Sequence, residues 1–82
     1  MTIAINVWVG SLNAYNEGNL VGEWLSLPMD TDELREAIGA IQYEGGGEEV
    51  EIFDTDISES FAREAVEGIH DVYRVNAIAE EI

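Results

Sequence analysis

The chain has 82 residues, room for one domain and one core. Eighteen Asp and Glu stand against three Arg, no Lys and one His, a formal charge of −15 that excludes nucleic acid and anionic membrane as direct partners, because both demand cationic patches. Apolar residues at 46% predict a folded chain, and the absence of cysteine excludes disulfides and thiolate metal sites and suits a reducing cytoplasm.

Met1 to Gly10 has neither a basic start nor a long apolar stretch, so no signal peptide is expected there. Nowhere do about 18 apolar residues run together, as a membrane span requires. Ile3, Ile5, Val7 and Val9 alternate with Ala4, Asn6 and Trp8, which predicts a strand over residues 2–9 with its β-branched side chains on one face. Gly10 to Asn19 is rich in Gly, Asn and Ser and reads as a turn, Gly18 supplying positive φ without a steric penalty. A second strand is predicted over 20–27, ended by Pro28, which lacks a ladder donor. Trp8 and Trp24 fall within these strand patterns and are expected in the core.

Asp30 or Thr31 caps the next helix, and Asp32, Glu33 and Glu36 suit its positive N-terminal end. Leu34, Ala37, Ile38 and Ile41 form its apolar stripe, and Gly39 weakens it by about 1 kcal/mol relative to Ala. Gly45-Gly46-Gly47 predicts a flexible turn; acids flank it and no Lys follows, so it is not a phosphate-cradling loop. Residues 49–53 read as a third strand, with Val50 and Ile52 facing the core and Glu49 and Glu51 sharing the other face. Ser58 or Ser60 caps a helix carrying Phe61, Ala65 and Val66; Gly68 breaks it; Asp71 caps a last helix carrying Val72, Val75, Ile78, Ala79 and Ile82. The predicted fold class is α+β: a small antiparallel three-stranded sheet packed with two or three helices, in a single domain spanning 1–82.

No catalytic constellation stands out. His70 is the one histidine of the chain, and it has no cysteine or serine-elbow nucleophile to serve, so the chain is not expected to be an enzyme or to need a cofactor. Asp54, Asp56 and Ser58 imitate the opening of a calcium loop, but Glu59 replaces the required Gly and Ala65 the required Glu. That segment reads better as a solvated acidic turn than as a metal site.

The carboxylates as an array are more informative. Residues 1–41 carry six acids and one Arg, a net −5; residues 42–82 carry twelve acids and two Arg, a net −10. Phosphates recur at about 3.4 Å along one DNA strand, while alternate strand residues lie about 6.6 Å apart and helical neighbours about 5–6 Å apart. Those intervals approximate one- and two-phosphate steps. Glu64, Glu67 and Asp71 line one helix face if the helix continues through Gly68. A merely solvated helix interleaves both signs; here the negative potential is left uncancelled.

Leu12, Tyr15, Asn16, Gly18, Leu20, Gly22 and Trp24 have the order and spacing of the N-terminal signature of the ArdA-type antirestriction proteins, which this chain resembles over residues 3–54. The later run Glu48-Glu49-Val50-Glu51-Ile52-Phe53-Asp54 is similar to a Glu-rich strand of that family, with Phe53 and Thr55 replacing its His and Tyr. The resemblance implies a protein of phages, plasmids or transposons that mimics bent DNA and occupies the DNA groove of type I restriction–modification enzymes. Family members are longer, so a chain of this size is expected to imitate only a few base pairs, which also suits the PAM-reading surface of a CRISPR-Cas surveillance complex, as an anti-CRISPR. The expected partner is thus the basic DNA-binding surface of a restriction–modification or CRISPR-Cas protein. Asp32, Glu33, Glu36, Glu44, Glu48, Glu49, Glu51, Asp54, Asp56, Glu59, Glu64, Glu67 and Asp71 are the candidate phosphate stand-ins, and Tyr15, Asn16, Gly18 and Trp24 are expected to build the fold. The rival reading is a halophilic or generally acidic interaction domain without a DNA-like role.

Overall fold

The computed structural model describes residues 5–82, so the Ile3 end of the first predicted strand lies outside the described residues. The architecture is α+β. Strands β1 (Ile5–Ser11), β2 (Gly22–Leu27) and β3 (Val50–Ile57) form an antiparallel sheet in the order β2-β1-β3. Helix α1 (Leu12–Asn16) follows β1, α2 (Thr31–Gly45) joins β2 to β3, and α3 (Ser60–Val66) and α4 (Val72–Glu81) complete the chain.

The β-branched alternation of β1 sets the layers. Ile5, Val7 and Val9 are fully buried, with Leu27, Leu25, Ile57 and Ile52 beside them on the neighbouring strands. Leu34, Ile38 and Ile41 of α2, Ala62 and Val66 of α3, and Val72, Val75 and Ala79 of α4 close over that face in one hydrophobic cluster. Burial of this set is the main stabilising contribution, since each fully buried aliphatic side chain contributes about 1.5–3 kcal/mol.

Asp30 caps α2 by accepting the Asp32 N–H at 3.2 Å, and Asp71 caps α4 by accepting the Tyr73 N–H at 3.0 Å, both as capping chemistry predicts. Gly46 ends α2 in the left-handed region at φ 75°, and Gly68 breaks α3 from α4 at φ 78°.

The structure differs from the sequence-based expectations in several elements, among them β2, which starts at Gly22 rather than Leu20, and α2, which takes in Gly45. Residues 12–16, expected as turn, are helix α1, started by buried Ser11, whose Oγ accepts the Ala14 N–H at 3.2 Å. Five residues are too few for the apolar period to register. Strand β3 runs to Ile57, not to Phe53, because β1 offers ladder partners to Asp54, Thr55 and Asp56. The Asp54–Ser60 segment is therefore neither a calcium-type loop nor an acidic turn over its first half. In α3 the buried side chains are Ala62 and Val66, while Phe61 is half exposed and Ala65 exposed; Glu59 holds the N-cap position without a side-chain bond, so neither Ser58 nor Ser60 caps. Finally, Ile82 lies beyond α4 and is exposed, and the fourth buried residue of that helix is polar: Asn76.

Asn76 is satisfied on both sides. Its Oδ1 accepts the Met29 N–H at 2.8 Å and its Nδ2 donates to the Met29 carbonyl at 3.0 Å, tying the segment after β2 to α4. Asn76→Ala would leave both backbone groups of Met29 without a partner in a part-buried setting. The expected loss is about 2–3 kcal/mol, read as a fall in Tm of about 10–20 °C for a domain of this size. An unchanged melting curve would show that water replaces the side chain.

Candidate protein-binding surface

All eighteen carboxylates are exposed. Among the described residues the one ion pair joins Arg35 to Asp32 at 3.2 Å, both ends well exposed, and such a pair contributes about 0–1 kcal/mol. The charge is not placed to stabilise helices. Asp32 and Glu33 suit the first turn of α2, but Glu44 sits in its last turn without any basic residue, and Glu80 and Glu81 do the same in α4. Carboxylates at a helix C-terminus oppose the macrodipole. The negative potential is thus kept at a small local cost.

The elements distribute the predicted site residues over several surfaces. Asp32, Glu33, Glu36 and Glu44 lie on the solvent side of α2, opposite Leu34, Ile38 and Ile41. Glu48 and Glu49 lie in the connection to β3, where the Glu49 carbonyl accepts the Leu12 N–H at 3.0 Å. Glu49 therefore directly precedes the strand, and it lines one cleft together with Glu51.

A shift in the β1–β3 register gathers another set. Trp8 is opposite Asp54 and Val9 is opposite Ile52, so Phe53 is the extra residue of a bulge. An unbroken strand would put Glu51 on one face and Asp54 and Asp56 on the other. With the bulge, Glu51, Asp54 and Asp56 oppose Gly10, Trp8 and Asn6, all on the face away from the core. Since β3 is an edge strand, these carboxylates also discourage edge-to-edge pairing with another chain.

Glu64, Glu67 and Asp71 are not brought together on one helix. Glu64 is on α3, Glu67 is its C-cap, Gly68 turns the chain, and Asp71 is the N-cap of α4. Glu59 stands at the start of α3. His70 is exposed between two open clefts, one lined by Arg63, Glu64 and Glu67, the other by Glu48, Glu49, Glu51 and Asp71.

The outer face of the sheet holds residues that the sequence reading assigned to the core. Trp24 is 51% exposed and Tyr15 56% exposed, so these two signature residues are not buried fold-builders. The Trp8 ring lies over bare backbone at Gly10 and Gly22, where a Cβ would come within 2.5 and 2.8 Å of it. Phe53 meets Trp8 at a centroid distance of 5.4 Å, and Tyr15 meets Phe53 edge-on at 5.5 Å. The signal was present in the alternation: Trp8 shares phase with Asn6, and Trp24 with Ser26, each opposite to the aliphatic phase of its strand.

The model of the family described as antirestriction protein (ArdA) matches residues 7–82. The match takes in α2, β3 and both C-terminal helices, and so extends well beyond the signature segment. No curated protein and no solved structure matches the chain significantly. A family match over nearly the whole length, on a fold whose carboxylates are all exposed, leads to one conclusion: the chain belongs to the ArdA antirestriction family.

Proposed function

We propose that this chain inhibits a type I restriction–modification enzyme as a mimic of duplex DNA, acting in the bacterial cytoplasm by occupying the enzyme's DNA-binding site rather than by catalysis. The observation that carries this reading is the density of exposed negative charge, of which only Asp32 is paired among the described residues. Eighteen carboxylates over a long axis of 38 Å give one per about 2.1 Å, against one per about 1.7 Å for duplex DNA. The same axis equals the rise of about 11 base pairs, more than the few that the chain's length suggests. A site that grips phosphates with Lys and Arg would find carboxylates at comparable spacing and would release its counterions to them much as to DNA. The candidate stand-ins span α2, the 46–49 connection, β3, α3 and the start of α4, with the β3 set the most coherent.

The test is competition between the protein and duplex DNA for a type I methyltransferase core, with a type I CRISPR surveillance complex alongside. Displacement of DNA at stoichiometric concentration, weakening steeply as salt rises, is the expected result for the restriction enzyme. Displacement from the CRISPR complex alone would move the target to a PAM-reading surface while keeping the mimicry. Binding indifferent to salt, or no displacement from either, would refute mimicry, because exposed charge pairs are screened over about 8 Å at physiological ionic strength.

A further inference from the structure

We infer that the open aromatic face of the sheet is a docking surface for arginine side chains of the partner's DNA-binding site. The identity of that partner rests on the proposed function; the arginine chemistry rests on the face itself. Helices α2, α3 and α4 supply the hydrophobic cluster on one side of the sheet, while α1 reaches the other side through Tyr15, and Trp24 there stays half exposed. That open side presents Trp24, Trp8, Phe53 and Tyr15, with Asp54 and Asp56 alongside them on the edge strand. On the same face Ser26 Oγ donates to Asn6 Oδ1 at 2.7 Å, and Glu51 adds a third carboxylate on the edge strand. What is left to bind with is aromatic surface and carboxylate.

That pairing of groups selects its occupant. A guanidinium is planar, weakly hydrated and permanently charged; it stacks on an indole and offers a fork of donors to a carboxylate at once. Lysine supplies the charge without the plane. A second copy of this chain is a poor occupant, because it would set a molecule of charge −15 against its equal with carboxylates facing carboxylates. The face is also organised in advance. Gly10 and Gly22 let the Trp8 ring lie flat on the sheet, and Phe53 and Tyr15 buttress it, so little side-chain freedom remains to be lost on binding. Trp and Tyr are the side chains most enriched at binding hot spots, and exposed apolar patches on a highly charged protein mark such surfaces.

The experiment titrates the full chain with oligoarginine and with oligolysine of equal length, following amide and indole NMR shifts. Oligoarginine is expected to bind about tenfold more tightly, with shifts centred on Trp8, Trp24 and β3. Trp24→Ala should reduce that preference to near unity and Trp24→Phe should restore part of it; in case Trp24→Ala unfolds, the conservative pair Asp54→Asn with Asp56→Asn reads the same preference. Neutralising Glu33 and Glu36 on α2 should weaken both peptides equally. Equal affinity for the two peptides, shifts centred on α2 or α3, or self-association that buries Trp24 would each overturn the inference. If DNA competition fails against both complexes while the arginine preference maps to this face, the partner assignment falls and the surface stands. Successful competition without any arginine preference removes the surface alone.

Discussion

Replacing Glu51, Asp54, Asp56 and Glu59 together with arginine is expected to weaken binding to the restriction enzyme about a thousandfold while leaving the fold intact. All four side chains are exposed and none takes part in an ion pair, so the substitutions remove no packing and break no bridge. The net charge falls from −15 to −7, since each of the four reversals adds two, which relieves self-repulsion. At the interface each reversal exchanges an attraction for a repulsion worth about 1 kcal/mol or more, and four of them sum to about 4 kcal/mol, or about three orders of magnitude in Kd. A titration at two ionic strengths checks the cause as well as the size. The variant should show a shallower salt dependence, because fewer counterions are exchanged. Full potency in the variant would move the contact to the α2 carboxylates Asp32, Glu33 and Glu36.

The second large effect concerns glycine, with opposite signs at two positions. Gly22→Ala is expected to destabilise by about 3 kcal/mol and Gly39→Ala to stabilise by up to about 1 kcal/mol. A Cβ at Gly22 would lie 2.3 Å from the Val9 carbonyl oxygen and 2.8 Å from the Gly10 Cα. Both are backbone atoms of the paired strand, so no rotamer change relieves the clash, and β1 and β2 must part. At Gly39, in the interior of α2, no atom lies within 4 Å of the added Cβ and the backbone is already helical, so only the entropy cost of glycine is removed. Thermal melts of the two variants should diverge by about 15–30 °C. Equal melting temperatures would show that the β1–β2 pair tolerates separation, and that the aromatic platform does not depend on its glycines.

These two positions also show why one signature residue serves the fold and another does not. Gly22 is held by backbone crowding and Gly18 by a φ of 88°, and both requirements are geometric. Trp24, two residues after Gly22, points away from the core. Its exposure suits a binding surface better than a structural one, a distinction that depends on which side of the sheet the helices occupy.

The sequence by itself determined the composition of the core and the sign of the surface. The period-two run Ile5, Val7, Val9 and the helical stripe Leu34, Ile38, Ile41 each name one buried face, because burial of apolar side chains follows local geometry. Asp30 and Asp71 as caps, Gly18 at positive φ, and Gly68 as the break between α3 and α4 were legible for the same reason: their chemistry acts within a few residues. Family membership was legible in the order and spacing of the signature residues, and the match over residues 7–82 extends it to the last residue given.

Only the tertiary structure decided how the carboxylates and aromatics are grouped. Strand pairing is non-local, so the length of β3 is set by β1, forty residues or so upstream, and not by its own pattern. One bulge at Phe53 then reverses the facing of everything beyond it, which buries both Ile52 and Ile57 and sets Glu51, Asp54 and Asp56 on one outer face. The outward facing of Trp8 and Trp24 was decided the same way. A strand pattern shows that two faces differ, but α2, α3 and α4 choose which one is covered, by packing their apolar stripes against the aliphatic side and leaving the aromatic side open.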